Sequence, residues 1–171
     1  MDKLYIIKKL TMQIPSKYLL KLNRSSHSLE LYRKSSDNSV FHNYYTICED
    51  IDMSDYLMYE KERENPYIWG GGETLTPEGI IQIEKASEKH EEYISGHHLE
   101  HDKVKFFGYL VVFEDYFIHS NLYVDKATKD TVEQEEPINK TDEHTSGCIR
   151  VSQEDLNWLV ENIEAGTPIV M

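Results

Sequence analysis

The sequence predicts one α+β domain that is rich in β-strands and contains one main helix. Short runs of aromatic and β-branched residues, separated by charged or turn-forming residues, recur along the chain, which is typical of strands. A single stretch after Ser152 has the apolar period of an amphipathic helix. With 171 residues, the chain can bury a core without disulfide bonds or metal, so we expect residues 1–171 to form a single domain.

The first elements are predicted to be strands. Tyr18–Asn23 and Ser28–Arg33 flank the polar residues Arg24–His27, which indicates a hairpin. A third strand is expected at about Val40–Cys48, and a further one at Gly79–Ile83.

The heavily charged segment between these strands, about residues 49–73, is expected to be an insertion. It would contain a short helix near Asp52–Glu62, followed by a loop that ends in Gly70-Gly71-Gly72. Trp69 lies in this loop, where it could cover a substrate or pack the loop down. The second role is favoured, since a large ring is usually buried.

A second hairpin is predicted within Val104–Val124, with its turn at Glu114-Asp115. His119 closes the apolar run Tyr116–Ile118 at the end of the second strand. A neutral imidazole is the usual base for removing a thiol proton, so His119 is a candidate base. The alternative is a histidine that merely caps the strand end through a backbone hydrogen bond.

Cys148 is the candidate nucleophile. The small pair Ser146-Gly147 precedes it, and Arg150 lies close enough in sequence to favour the reactive thiolate. The alternative is a buried structural cysteine, which is common for this residue type. Cys48 fits that description better, because it ends a strand-like run. A bond between the two cysteines would silence the nucleophile, and we do not expect one.

The chain is predicted to close with a helix and a strand. Ser152 is the expected N-cap and Asp155 takes the capping-box position. Gly166 ends the helix, and Thr167–Met171 forms the last strand. The expected buried stripe consists of Leu156, Leu159, Val160 and Ile163.

Four motifs together resemble the L,D-transpeptidase catalytic domain. They are Ile118-His119, the run Ser146-Gly147-Cys148-Ile149-Arg150, the turn Thr76-Pro77-Glu78-Gly79 with the strand after it, and the closing helix with Gly166-Thr167-Pro168-Ile169-Val170. Their order and rough spacing agree with that family over about the last hundred residues. The resemblance implies the family's mixed sheet or sandwich, with its main helix after the catalytic cysteine.

The resemblance also implies an activity. Cys148 and His119 would form the dyad of a cysteine acyltransferase that acts on peptidoglycan stem peptides through a thioester, as L,D-transpeptidases and L,D-carboxypeptidases do. Gly147, Ser146 and Arg150 would support the oxyanion and the loop. The partner would be a stem peptide or muropeptide, no cofactor is implied, and we expect a monomer. Candidate substrate-binding residues are Thr76, Trp69, Ser120 and His144.

Three departures from the family pattern concern the site. Ser120 stands where the family usually has glycine, and Ser146 stands where it commonly has a histidine, with His144 two residues earlier. The interval from His119 to Cys148 is also long, so residues 125–143 are expected to be an acidic surface insertion. These departures leave open a catalytically degenerate member that binds wall peptides or another protein.

The composition of the chain excludes some classes of binding partner. A net charge of −13 argues against nucleic acid and against anionic membranes, and no apolar run is long enough for membrane insertion. Met1–Leu10 is too charged for a secretory signal, although the relatives act on the cell wall. The expected location therefore stays open between the extracytoplasmic wall and the cytoplasm.

The cluster His97-His98-Leu99-Glu100-His101 offers a remote alternative. Its spacing formally matches an inverted zincin motif, in which His97 and His101 would hold zinc from one helix face in a peptidase. The short space before the next strand favours a solvated loop instead.

Overall fold

The computed structural model describes residues 4–8, 17–34, 56–68, 79–98, 101–114, 116–138 and 148–171. These residues form thirteen strands and one helix. The elements are β1 (Leu4–Lys8), β2 (Tyr18–Asn23), β3 (Ser28–Lys34), β4 (Tyr56–Ile68), β5 (Ile80–Gln82), β6 (Lys85–Ala86), β7 (Glu92–His98), β8 (His101–Phe107), β9 (Tyr109–Phe113), β10 (Tyr116–His119), β11 (Tyr123–Val124), β12 (Ile149–Val151), α1 (Gln153–Asn162) and β13 (Pro168–Val170).

Most strands belong to one large mixed sheet. Its order is β5-β13-β2-β3-β4-β12-β10-β9-β6, with β1 also paired to β4. The pairs β13–β2 and β10–β12 are parallel, and the other pairs are antiparallel. A smaller antiparallel sheet has the order β11-β8-β7. The β-rich α+β class expected from the sequence is confirmed.

Gly108 joins the two sheets. It separates β8 of the small sheet from β9 of the large one, and its φ of 84° lies in the left-handed region. A side chain here would be strained, and its Cβ would meet Leu156 Cδ2 of the helix at 3.4 Å. Since 3.4 Å is an ordinary van der Waals contact, it is the backbone conformation of the bend that favours glycine at this position.

The main core lies between the helix and one face of the large sheet. From α1, Leu156 and Leu159 are fully buried. They pack in one cluster with Leu110 of β9, Ile118 of β10 and Ile149 of β12. A fully buried side chain of this size contributes about 1.5–3 kcal/mol. This core therefore holds β10, β12 and the helix in one block.

Two smaller clusters complete the packing. Leu19, Tyr32 and Tyr59 form one of them, with Val170 packed against it. In the other, the turn residues Ala127 and Val132 pack against Phe107 of β8 and Tyr123 of β11, which fastens part of the acidic segment to the small sheet.

Both predicted hairpins are confirmed. Strands β2 and β3 pair in antiparallel register across residues 24–27. Strands β9 and β10 pair across the predicted turn, where Glu114 has a φ of 44°. The strand expected at Gly79–Ile83 is β5.

The predicted helix is confirmed, and so is its cap. Ser152 Oγ accepts a hydrogen bond from the Asp155 backbone N–H at 3.1 Å. Of the expected stripe, Leu156, Leu159 and Ile163 are buried. The Asp155 carboxylate accepts from Arg63 Nη2 of β4 at 2.6 Å, so it also ties the helix start to the sheet.

The helix expected near Asp52–Glu62 is wrong where the structure describes it, because Tyr56–Ile68 is the long strand β4 between β3 and β12. Burial alternates along it, but polar side chains occupy inward positions and hide the pattern. Lys61 pairs with the buried Glu30 at 3.1 Å, and the fully buried Asn65 donates to the Leu29 carbonyl at 2.9 Å. Partners that are distant in sequence satisfy these groups.

The three histidines of the cluster lie in strands, and not in the expected loop or on the helix that zinc binding would need. His97 and His98 lie in β7, and His101 lies in β8 opposite His98. The zincin spacing needs a helix to bring the first and last histidine onto one face, and strands do not supply that arrangement.

Other expectations fall outside the described residues. These are the strand at about Val40–Cys48 with its thiol, and the glycine run Gly70–Gly72. The division into one domain with insertions at 49–73 and 125–143 stays a prediction. None of the described segments contains a helix with the length and apolarity that a membrane crossing requires.

Asn65 gives a test of this polar packing. Asn65→Ala removes the donor to Leu29 O and the acceptor for Arg63 Nε, which lies 2.8 Å away. Since buried groups lose their partners, we expect a loss of about 1–3 kcal/mol in the free energy of unfolding, measured by urea denaturation. Gln82→Ala, which changes an exposed amide, is the control. An equal effect of both changes would contradict the role of Asn65.

Candidate active site

The parallel pairing of β10 and β12 builds the site. Ile118 lies opposite Ile149, and His119 lies opposite Arg150. The two isoleucines face the main core, so His119 and Arg150 face the other side of the sheet. Cys148 lies immediately before β12, two residues from Arg150, so the segment that carries it runs into the strand that pairs with β10. The register therefore puts the short strand that follows Cys148 beside the strand that carries His119.

The His119 ring is held from two directions. Its imidazole stacks on Phe106 of β8, with ring centroids 4.5 Å apart and planes 16° apart. Its Nδ1 lies 2.6 Å from the Ser120 carbonyl oxygen. A carbonyl only accepts, so Nδ1 carries the hydrogen in this contact and Nε2 is the nitrogen left to accept a proton.

Burial controls the charge of this ring. His119 is 7% exposed, and burial lowers its pKa from 6.5 to about 4. The hydrogen bond to the Ser120 carbonyl opposes this shift, while the positive charge of Arg150 adds to it. His119 is therefore neutral at pH 7, which is the form a general base needs.

Cys148 lies immediately before β12 and is partly exposed. Arg150, two residues later, is only 5% exposed. The positive charge of Arg150 disfavours an imidazolium at His119, whose pKa it helps to lower.

Ser120 is fully buried. Its hydroxyl donates to Gln153 Oε1 of the helix at 2.6 Å, which directs the hydroxyl toward the helix. The sequence reasoning missed both Gln153 and Phe106 as neighbours of the site. No spacing signal marks either residue, because each meets the site through a different segment of the chain.

The remaining predicted site residues lie outside the described residues. They are Thr76, Trp69, His144, Ser146 and Gly147. Among the residues that the structure describes, no three histidine, cysteine, aspartate or glutamate side chains form a group that could hold a metal ion.

Comparison with known families gives one match. The family model of YkuD, the L,D-transpeptidase catalytic domain, matches residues 45–171. A search of curated protein sequences finds no significant relative.

Three solved structures with the same fold have similar TM-scores to this chain. A fused Zn-dependent amidase/peptidase/peptidoglycan-binding domain-containing protein from Clostridium acetobutylicum is 14% identical with a TM-score of 0.55, over 94% of this chain and 54% of that one. An L,D-transpeptidase from Mycobacterium smegmatis is 17% identical with a TM-score of 0.53, over 90% and 58%. An L,D-transpeptidase in complex with imipenem is 15% identical with a TM-score of 0.54, over 90% and 58%. The chain thus spans little more than half the length of these structures.

The buried imidazole predicts a pH-dependent stability. Between about pH 6.5 and about pH 4, the unfolded chain binds a proton at His119 that the folded chain does not bind. The free energy of unfolding therefore falls as the pH is lowered through this window, by on the order of 3 kcal/mol from this group.

Denaturation of the wild type and of His119→Gln, from about pH 7 to about pH 4, measures the effect. Since glutamine does not titrate, the variant should lose much less stability toward acid. Equal acid dependence in the two proteins would contradict the neutral, buried state of His119.

Proposed function

We propose that this chain, which belongs to the L,D-transpeptidase catalytic-domain family, is a cysteine acyltransferase that acts on peptidoglycan stem peptides. The observation that supports the proposal is the parallel register of β10 and β12, in which His119 lies opposite Arg150, two residues after Cys148. The family match covers both residues.

In the proposed reaction, His119 Nε2 takes the proton of the Cys148 thiol. The sulfur attacks a peptide carbonyl of the stem, and backbone N–H groups of Gly147 and Cys148 stabilise the oxyanion. The proton then passes from His119 to the leaving amine, and a thioester remains on Cys148. An acceptor amine, or water, releases the acyl group and regenerates the thiol.

The properties of His119 support a particular order of these events. Because its pKa is about 4, the imidazole is neutral at pH 7 and holds no proton from Cys148, so the proposed resting pair is a neutral imidazole and a thiol. Proton removal therefore accompanies the attack on the carbonyl instead of preceding it. Arg150, which lies opposite His119, is the proposed charge that stabilises the sulfur as it becomes negative.

The substrate is proposed by family membership. The donor would be a stem peptide or muropeptide that is cleaved after its diamino acid, with loss of the terminal D-residue. An amine of another stem gives a cross-link, a free D-amino acid gives exchange, and water gives L,D-carboxypeptidase activity. Thr76, Trp69 and His144 stay candidates for contacts with the substrate, whereas the Ser120 side chain is buried and bonded to Gln153. An extracytoplasmic site of action is typical of the family.

The alternative function is binding without turnover. The replacement of glycine by Ser120 and of histidine by Ser146 alters the family pattern next to the dyad. A degenerate member would bind wall peptides and leave them unchanged.

One experiment separates these functions. The protein is incubated with tetrapeptide-bearing muropeptides, with and without an added D-amino acid, and the products are identified by mass spectrometry. Loss of the terminal residue indicates hydrolysis, and replacement of it indicates exchange. Dimeric products indicate cross-linking. Retention of the intact muropeptide on the protein, without any product, would favour the binding module.

The dyad predicts two inactive variants. Cys148→Ser should abolish turnover of muropeptides because an alcohol is a far weaker nucleophile beside the same histidine. His119→Ala should lower kcat by about a hundred-fold or more because the base is lost. Cys48→Ser is the matched control and should retain activity. Near wild-type turnover by either dyad variant would show that the assignment is wrong.

A carbapenem should acylate Cys148. Its strained amide carbonyl offers the thiolate the same chemistry as the stem peptide, and one related structure is described as a complex with imipenem. We expect the mass of the protein to rise by one drug molecule, mapped to the peptide that contains Cys148. Cys148→Ser should show no adduct, and His119→Ala should react more slowly. An adduct on Cys48 with Cys148 unmodified would overturn the proposal.

A further inference from the structure

We propose that Gln153 is a positioning residue that locks the ring of His119 in its base-competent orientation. The inference rests on the proposed function, since it assigns Gln153 a role in the same dyad. Gln153 is the first residue of α1 and follows β12 on the segment that carries Cys148. Its side chain reaches across to the segment that carries His119.

Two groups hold the imidazole of His119, the Ser120 carbonyl and the Phe106 ring. The amide of Gln153 hydrogen-bonds to Ser120 itself and to Phe107, the residue after Phe106. Its Oε1 accepts from Ser120 Oγ at 2.6 Å, and the Ser120 carbonyl is the partner of His119 Nδ1. Its Nε2 donates to the Phe107 carbonyl at 2.8 Å, and Phe107 follows Phe106, on which the imidazole stacks. One side chain therefore braces the hydrogen-bond partner and the stacking partner of His119.

The chemistry of the contacts fixes the orientation of this amide. The Phe107 carbonyl can only accept, so the NH2 group of Gln153 must face it and the oxygen must face Ser120. The second hydrogen of the NH2 group goes to Asn157 Oδ1 at 2.9 Å, one helical turn later. The amide oxygen and both amide hydrogens of Gln153 therefore have partners. The buried Ser120 hydroxyl has in Gln153 a closer acceptor than the Asn121 carbonyl, which lies 3.4 Å away.

This arrangement gives the departure at Ser120 a function. If glycine stood at position 120, its backbone carbonyl would still accept from His119, but no side chain would connect this peptide to the helix. The hydroxyl adds that tie. The serine and Gln153 therefore form one unit, which holds the histidine segment against the cysteine segment.

Gln153→Met tests the role, because it keeps the length of the side chain and removes its hydrogen bonds. Ser120→Ala removes the same bond from the other end with a smaller change. Glu154→Gln, which alters the exposed neighbour on the helix, is the control. We expect both test variants to lower kcat on muropeptides by about ten- to a hundred-fold with KM changed by less than about two-fold, since small misplacements of a reacting group have effects of this size.

The double variant should be no worse than the more affected single variant, because both changes remove one interaction. Gln153→Glu should not restore activity, since a carboxylate would face the Phe107 carbonyl. Additive losses in the double variant, or full activity of Gln153→Met, would overturn the proposal.

A second readout does not depend on turnover. NMR of protein labelled with 15N-histidine reports which ring nitrogen of His119 carries the proton. Wild type and Glu154→Gln should show a protonated Nδ1 that exchanges slowly with water, and both test variants should show faster exchange and mixed tautomers. A purely structural role would lower the melting temperature and leave this signal unchanged. If the wild type shows the signal but no turnover, the proposed function fails and the positioning role stands.

Discussion

The parallel pairing of β10 with β12 is the constraint on which the site depends. These two strands are distant in sequence, and their register sets which side chains share a face. Ile118 and Ile149 enter the core on one side, which turns His119 and Arg150 to the other. A slip of one residue in either strand would turn a polar side chain into the main core and an apolar one out of it, so the hydrophobic burial that stabilises the sheet also fixes the face on which His119 lies.

The start of α1 is fixed to this sheet by polar contacts on both sides. Asp155 forms a salt bridge with Arg63 of β4, and the guanidinium of Arg63 lies 5.0 Å from the centre of the Trp158 ring. Gln153 reaches the His119 side of the site through Ser120. Because the two anchors lie within one helical turn, they restrict rotation of the helix about its own axis. The segment from Cys148 to Ser152 runs directly into that fixed end, so its position is restricted as well.

The parts of the fold that could be predicted are those with local causes. The turn at Glu114 lies between two apolar runs, and Ser152 caps a helix three residues from the group it binds, so sequence patterns reveal both. Strand β4 escaped prediction because its inward polar side chains are satisfied by remote partners such as Glu30 and Asp155. Within the site, His119 and Cys148 could be predicted as a pair through the family motifs. The contributions of Phe106 and Gln153 could not, since they arise only when the bend at Gly108 and the start of the helix bring separate segments against His119.

The central claim is that a neutral, buried His119 acts as the base for Cys148, and the alkylation kinetics of Cys148 test it most directly. The rate with iodoacetamide is measured from about pH 5 to about pH 10 in a Cys48→Ser background, with and without His119→Ala. If the pair rests as imidazole and thiol, the alkylation rate should rise with pH as the thiol ionises. Because the pKa of His119 is about 4, no plateau from a preformed thiolate is expected below about pH 6. It also predicts that removing His119 changes the midpoint of that rise. A rate that is already maximal at about pH 6, as a preformed thiolate–imidazolium pair would give, or a profile that is identical without His119, would contradict the account.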